Sequence, residues 1–162
     1  ADSLWRNSAR QSEIVVHGVS MGAAATMCVA GDTTIPAVKC FVEDCGYTSV
    51  WDEFAAQMKE QFGLPEFPLM YVTSALCKIK FGWSFGEASP LEQVRKCRKP
   101  MLFIHGGKDS YVPTRMVYPL YDAKPAPKEL IVFRNTKHAR SYSDYPLEYK
   151  RIVKRFVNRY IK

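Results

Sequence analysis

Four short apolar runs, at residues 13–17, 38–44, 100–105 and 129–133, alternate with helical periodicity at 21–31, 114–123 and 144–161. Short apolar runs bounded by turn residues read as strands. Strands separated by helices pair parallel, because each crossover returns the chain to the same end of the sheet, and a parallel sheet has to be covered on both faces. The expected fold class is α/β, a mostly parallel sheet with helices on both faces.

One interval is too long for a single crossover, since residues 45–99 lie between the second and third runs. It holds Trp51, Phe54, Phe62, Phe67, Tyr71, Phe81, Trp83 and Phe85, with Gly63, Pro65 and Pro68 dividing it into helices expected near 51–61 and 68–80. The chain therefore reads as one domain, 1–162, with a helical insertion over 51–90. An insertion past the carboxyl end of a strand lies where ligands bind in open α/β sheets, which makes it a lid or pocket wall; a peripheral helical pair is the alternative.

Composition narrows the classes further. With 162 residues, 47% hydrophobic and 24% charged, the chain suffices for one packed core, and no apolar run approaches a membrane span. The 23 Lys and Arg against 16 Asp and Glu give +7, with the densest run at Lys150, Arg151, Lys154, Arg155, Arg159 and Lys162. Tyr149, Ile152, Val153, Phe156, Val157 and Tyr160 interleave it at helical spacing, so it reads as the solvated face of an amphipathic helix rather than a nucleic-acid stripe. Five cysteines (Cys28, Cys40, Cys45, Cys77, Cys97) form no CxxC and no zinc spacing. Free thiols favour a reducing, cytoplasmic compartment, and no metal or cofactor is expected. The first residue is Ala1 and no signal segment is visible, so the expectation is that a segment upstream has been removed.

The chemistry is concentrated in Gly18-Val19-Ser20-Met21-Gly22, which follows the strand Ile14-Val15-Val16-His17 and precedes the small-residue run Ala23-Ala24-Ala25-Thr26. This is GxSxG in the strand, turn, helix context that exposes a nucleophile. The spacing has a steric reason: a serine on a tight turn needs Gly18 and Gly22 without side chains, so that helix and strand can approach.

Serine is a weak nucleophile at neutral pH and needs a base and an orienting acid. Of three histidines, His17 lies within a strand and His105 ends one, whereas His138 stands in a loop after the last strand. His138 is the expected base. Asp109, in the loop after the strand Met101-Leu102-Phe103-Ile104-His105, is the expected acid, with Asp44 at another strand end as the runner-up. His105-Gly106-Gly107 reads as a strand-to-loop turn. The order Ser20, Asp109, His138 is that of α/β-hydrolases.

With these blocks in order, the chain resembles the α/β-hydrolase superfamily, specifically the bacterial serine-aminopeptidase-like and dipeptidyl-aminopeptidase-related esterases. The segments Val16-His17-Gly18-Val19-Ser20-Met21-Gly22, Phe103-Ile104-His105-Gly106-Gly107-Lys108-Asp109 and Lys137-His138-Ala139 look like that group's nucleophile, acid and histidine blocks. The resemblance implies an eight-stranded sheet with four strands ahead of the nucleophile. About twelve residues precede that strand here, with Leu4 and Trp5 reading as the tail of a helix, so the chain corresponds to the C-terminal half of the fold.

The resemblance also implies a cofactor-free serine hydrolase acting on a small-molecule ester, or on an amide or peptide, with the Met21 N–H in the oxyanion hole. A second oxyanion donor would come from a loop after the third strand of the full fold, and losing one donor costs about 10²- to 10³-fold in rate. The alternative is a half-domain, catalytically incompetent by itself, that acts by associating with its missing half or another protein. Nothing in Ile14-Val15-Val16 protects a sheet edge, so self-association through that strand is expected.

Overall fold

The computed structural model describes residues 12–32 and 36–161; the expected helical tail at residues 1–10 lies outside them. Four parallel strands, β1 (Ile14–Val19), β2 (Val38–Asp44), β3 (Met101–Gly106) and β4 (Lys128–Phe133), form one sheet in the order β1-β2-β3-β4. The helices are α1 (Met21–Gly31), α2 (Val50–Phe62), α3 (Leu69–Phe81), α4 (Pro90–Lys96), α5 (Val117–Ala123), α6 (Ser141–Asp144) and α7 (Pro146–Val157).

Side-chain alternation along β3 explains why both faces are covered. Met101 and Phe103 join Phe41, Met27 of α1, Val94 of α4 and Val117 and Leu120 of α5 in one cluster. Leu102 and Ile104 join Val42, Phe133 and Tyr149, Ile152 and Phe156 of α7 in the other. Each fully buried side chain of this size contributes about 1.5–3 kcal/mol of transfer free energy, so the two clusters hold the sheet from both sides. On α7 the opposite face is solvated, as the sequence predicts: Lys150, Arg151 and Lys154 are exposed, and Arg155 and Arg159 pair with Glu129. The helix expected over 144–161 is α7, which Pro146 opens and which ends at Val157; the short α6 lies ahead of it.

The insertion resolves into α2 and α3, and a helix not foreseen from sequence, α4, makes the actual crossover by packing on α1 and α5. Ser49 caps α2 by accepting from the Asp52 N–H at 3.0 Å, and α2 and α3 end at Gly63 and Gly82, both in the left-handed region. The insertion leaves and returns through a narrow neck. Val50 N–H donates to the Ala88 carbonyl at 2.9 Å, and Leu91 N–H donates to that of Thr48 at 3.0 Å. Of its aromatic residues Phe85 is buried, while Phe62, Phe67 and Phe81 stand well exposed, so these are not core.

β2 carries an acid into the core. Glu43 is fully buried, with Oε2 accepting from the Gly46 N–H at 3.0 Å and Oε1 unpaired among the described residues. Burial pushes its carboxyl well above the usual range. The native state thus holds this proton more tightly than the unfolded chain does, and the associated stability is complete below pH ~4 and is lost as pH rises toward the raised native value. Glu43→Gln keeps the shape and removes the titration. Thermal denaturation at pH 5 and pH 8 is expected to show a smaller alkaline loss in the variant; an identical loss in both proteins contradicts this.

Candidate active site

Ser20 sits on the turn between β1 and α1 with φ 56° and ψ −119°, a left-handed backbone that costs a non-glycine residue about 1–3 kcal/mol. The surroundings impose it. Ser20 N–H donates to the Asp44 carbonyl at 2.8 Å, and its own carbonyl accepts from Ala23 and Ala24 at 2.9 and 3.1 Å. A Cβ on Gly18 would fall far inside contact distance of the Gly22 carbonyl and 2.5 Å from Thr26 Oγ1. The close approach expected from sequence is thus present at Gly18. Gly22 shows none, since an added Cβ there meets nothing within 4 Å among the described residues.

Asp109 follows β3 and is buried, 5% exposed. Its Oδ1 accepts from the Tyr111 and Val112 N–H groups at 3.0 and 2.9 Å, which fixes the carboxylate plane. Oδ2 lies 2.8 Å from His138 Nδ1. His138 reaches it because the loop after β4 lies directly on Gly106 and Gly107. A Cβ there would be 2.5 Å from the Thr136 carbonyl oxygen and 2.7 Å from that of Arg134, respectively. His105-Gly106-Gly107 is thus the strand-to-loop turn expected, and its glycines admit the histidine loop.

The second ring nitrogen of His138, Nε2, lies 2.8 Å from Ser20 Oγ. With Nδ1 facing a carboxylate, Nδ1 carries the proton and Nε2 is bare, so Ser20 Oγ–H donates to it. Ser20, His138 and Asp109 form one hydrogen-bonded chain assembled from the ends of β1, β4 and β3. Met21 opens α1, where helix geometry leaves the N–H without an intrahelical acceptor.

The other candidates lie elsewhere. Asp44 does not bond His138: its Oδ1 accepts from Ser141 Oγ at 3.2 Å, and burial pushes its carboxyl up to about 6. His105 is fully buried and its Nε2 donates to the Val112 carbonyl at 3.0 Å, bracing the Asp109 loop. His17 Nε2 meets the Tyr149 hydroxyl at 2.9 Å.

Two further residues escaped the sequence reading. Cys45 Sγ, an Asp109 oxygen and a His138 nitrogen lie within 4.8 Å of one another. They do not suit a metal ion, because the Asp109–His138 hydrogen bond already joins two of the donors and burial pushes the Cys45 thiol far up, keeping it protonated. Glu53 of α2 shares with Ser20 and Met21 a cavity of about 210 Å³, walled also by Val50, Phe54 and Tyr111. Part of the insertion is thus a pocket wall.

Solved structures share this architecture. The Pyrococcus furiosus esterase Pf2001 superposes with a TM-score of 0.73 at 25% identity, over 99% of this chain and 59% of its own. An acylaminoacyl peptidase of Pyrococcus horikoshii, 15% identical, shares the fold with a TM-score of 0.72 over 99% of this chain and 26% of its own. The fold is that of the α/β-hydrolases. Residues 5–162 match the prolyl oligopeptidase family, and the chain belongs to it. It is also 31% identical over 157 residues to the uncharacterized protein YqkD of Bacillus subtilis (strain 168), covering 96% of this chain. It spans about half, 52%, of that relative's length.

Proposed function

We propose that this chain carries the catalytic machinery of a serine hydrolase that cleaves a carboxylic ester, or an amide or peptide bond, through an acyl-enzyme. The carrying observation is the Ser20–His138–Asp109 hydrogen-bonded chain, with both links at 2.8 Å. Ser20 Oγ attacks the carbonyl carbon while His138 Nε2 takes its proton. Asp109 stabilises the resulting imidazolium, and the Met21 N–H donates to the oxyanion. His138 then protonates the departing alcohol or amine, and water attacks the acyl-enzyme by the same route in reverse.

A fluorophosphonate probe tests the reading, because it reacts with an activated serine and ignores an inert one. Labelling of the full-length protein at Ser20, abolished in Ser20→Ala, is the expected result. An unlabelled wild type overturns it.

The position of β1 favours a second reading, in which the chain acts through association. β1 has β2 as its one partner among the described residues, and no described residue pairs with the N–H and C=O groups on its other side. The isolated chain is expected to sediment as a dimer. A monomer at high concentration, with fast amide exchange along residues 14–16, sinks this idea and leaves the hydrolase reading intact.

A further inference from the structure

Each of the four strands delivers a residue to the same edge of the sheet. Ser20 follows β1, Asp109 follows β3 and His138 follows β4, while the residue that follows β2 is Cys45, which the bond-breaking chemistry does not use. The Cys45 side chain is fully buried. Its sulfur lies within 4.8 Å of both an Asp109 oxygen and a His138 nitrogen.

The backbone singles out the same place. Among the described residues three that are not glycine have a left-handed φ: Ser20 at 56°, Cys45 at 54° and Ala139 at 54°. All three stand at this edge, and Ala139 adjoins the base. A residue with a Cβ keeps such a conformation only where its surroundings enforce it. For Cys45 they do, because its N–H donates to the Ile104 carbonyl of β3 at 2.9 Å. With the backbone pinned there, the sulfur has the Ser20 and Ala139 N–H groups pointing at it. The Ser20 N–H also has the Asp44 carbonyl at 2.8 Å; that of Ala139 meets no other acceptor among the described residues.

The thiol is suited to holding rather than reacting. Burial first, then the charges of Asp44 and Asp109, push it far up, so it stays protonated and is no nucleophile. Being neutral, it leaves the attraction between Asp109 and an imidazolium undisturbed.

We propose that Cys45 is a positioning residue: its sulfur accepts from the Ala139 N–H, holds that residue in its left-handed turn and thereby sets His138 Nε2 against Ser20 Oγ. The inference rests on the serine-hydrolase reading and concerns the support of that same site. Cys45 acts through His138, so its loss is felt in turnover and not in substrate binding.

The test measures kcat and KM of the full-length wild type, Cys45→Ala and Cys45→Ser with phenyl acetate. In Cys45→Ala, kcat is expected to fall about 10- to 100-fold, the range of a base displaced by up to about 1 Å, with KM within about 2-fold of wild type. Cys45→Ser keeps an acceptor and is expected to stay within about 3-fold of the wild-type kcat. The two variants remove nearly the same volume, so a sulfur that merely filled space would make them lose alike. Equal losses, a loss confined to KM, or no loss in Cys45→Ala overturns the proposal, and fluorophosphonate labelling of the wild type then leaves the hydrolase reading standing. If the wild type fails to label, the hydrolase reading falls and this inference with it. Should either variant fail to fold, hydrogen exchange in the wild type decides: the Ala139 amide is expected to exchange at least about 10-fold more slowly than an unprotected amide, and exchange at the unprotected rate overturns the proposal.

Discussion

Alanine at Ser20 or at His138 is expected to lower kcat/KM of the full-length protein for an activated ester by about 10⁴- to 10⁶-fold, with circular dichroism unchanged. The double variant should lose little more than either single one, because the two groups act as a unit. Asp109→Asn should cost about 10⁴-fold for a different reason. An amide at Oδ2 offers N–H where His138 needs an acceptor, while the Tyr111 and Val112 N–H groups still hold Oδ1. The imidazole then carries its proton on Nε2 and cannot accept from Ser20. Full activity in Asp109→Asn, with loss in Asp44→Asn, would move the acid to Asp44.

The largest stability effect is expected at Gly18. A Cβ there meets the backbone of Gly22 and, at 2.5 Å, the side chain of Thr26. Backbone atoms at the start of a helix packed on the sheet cannot step aside, so Gly18→Ala should cost about 3 kcal/mol or more in chemical denaturation. Gly22→Ala is the control. With nothing among the described residues within 4 Å of its Cβ, it should lie within about 0.5 kcal/mol of wild type. Equal effects at the two glycines would mean that the turn is held by something other than this close approach.

These contrasts mark what the sequence made legible. The strands were visible because residues buried on both faces leave unbroken apolar runs, as in Met101-Leu102-Phe103-Ile104. Ser20, Asp109 and His138 were visible because each lies just past a strand end, and parallel strands gather those ends at one edge. The short α4 was hidden within the long interval, its cap Ser89 and its first residue Pro90 being the signal that could have found it. Glu53 and Cys45 were not legible at all, since their places in the cavity with Ser20 and beside His138 depend on where α2 and the turn after β2 come to rest. Gly22 was over-read: among the described residues, the steric need falls on Gly18 alone of the motif's two glycines.

The neck of the insertion has a consequence for how such a fold can diversify. Because Thr48 and Val50 are bonded to Leu91 and Ala88 across it, the chain between them is a continuous stretch whose two ends already touch. The crossover between β2 and β3 is made by α4, outside that stretch. A transplant of residues 51–87 would carry Glu53, Phe54 and Gln57 away together while the strands bearing Ser20, Asp109 and His138 stayed as they are. That wall of the cavity and the Ser20–His138–Asp109 chain are then separately inheritable, and a single recombination event could exchange the one without disturbing the other.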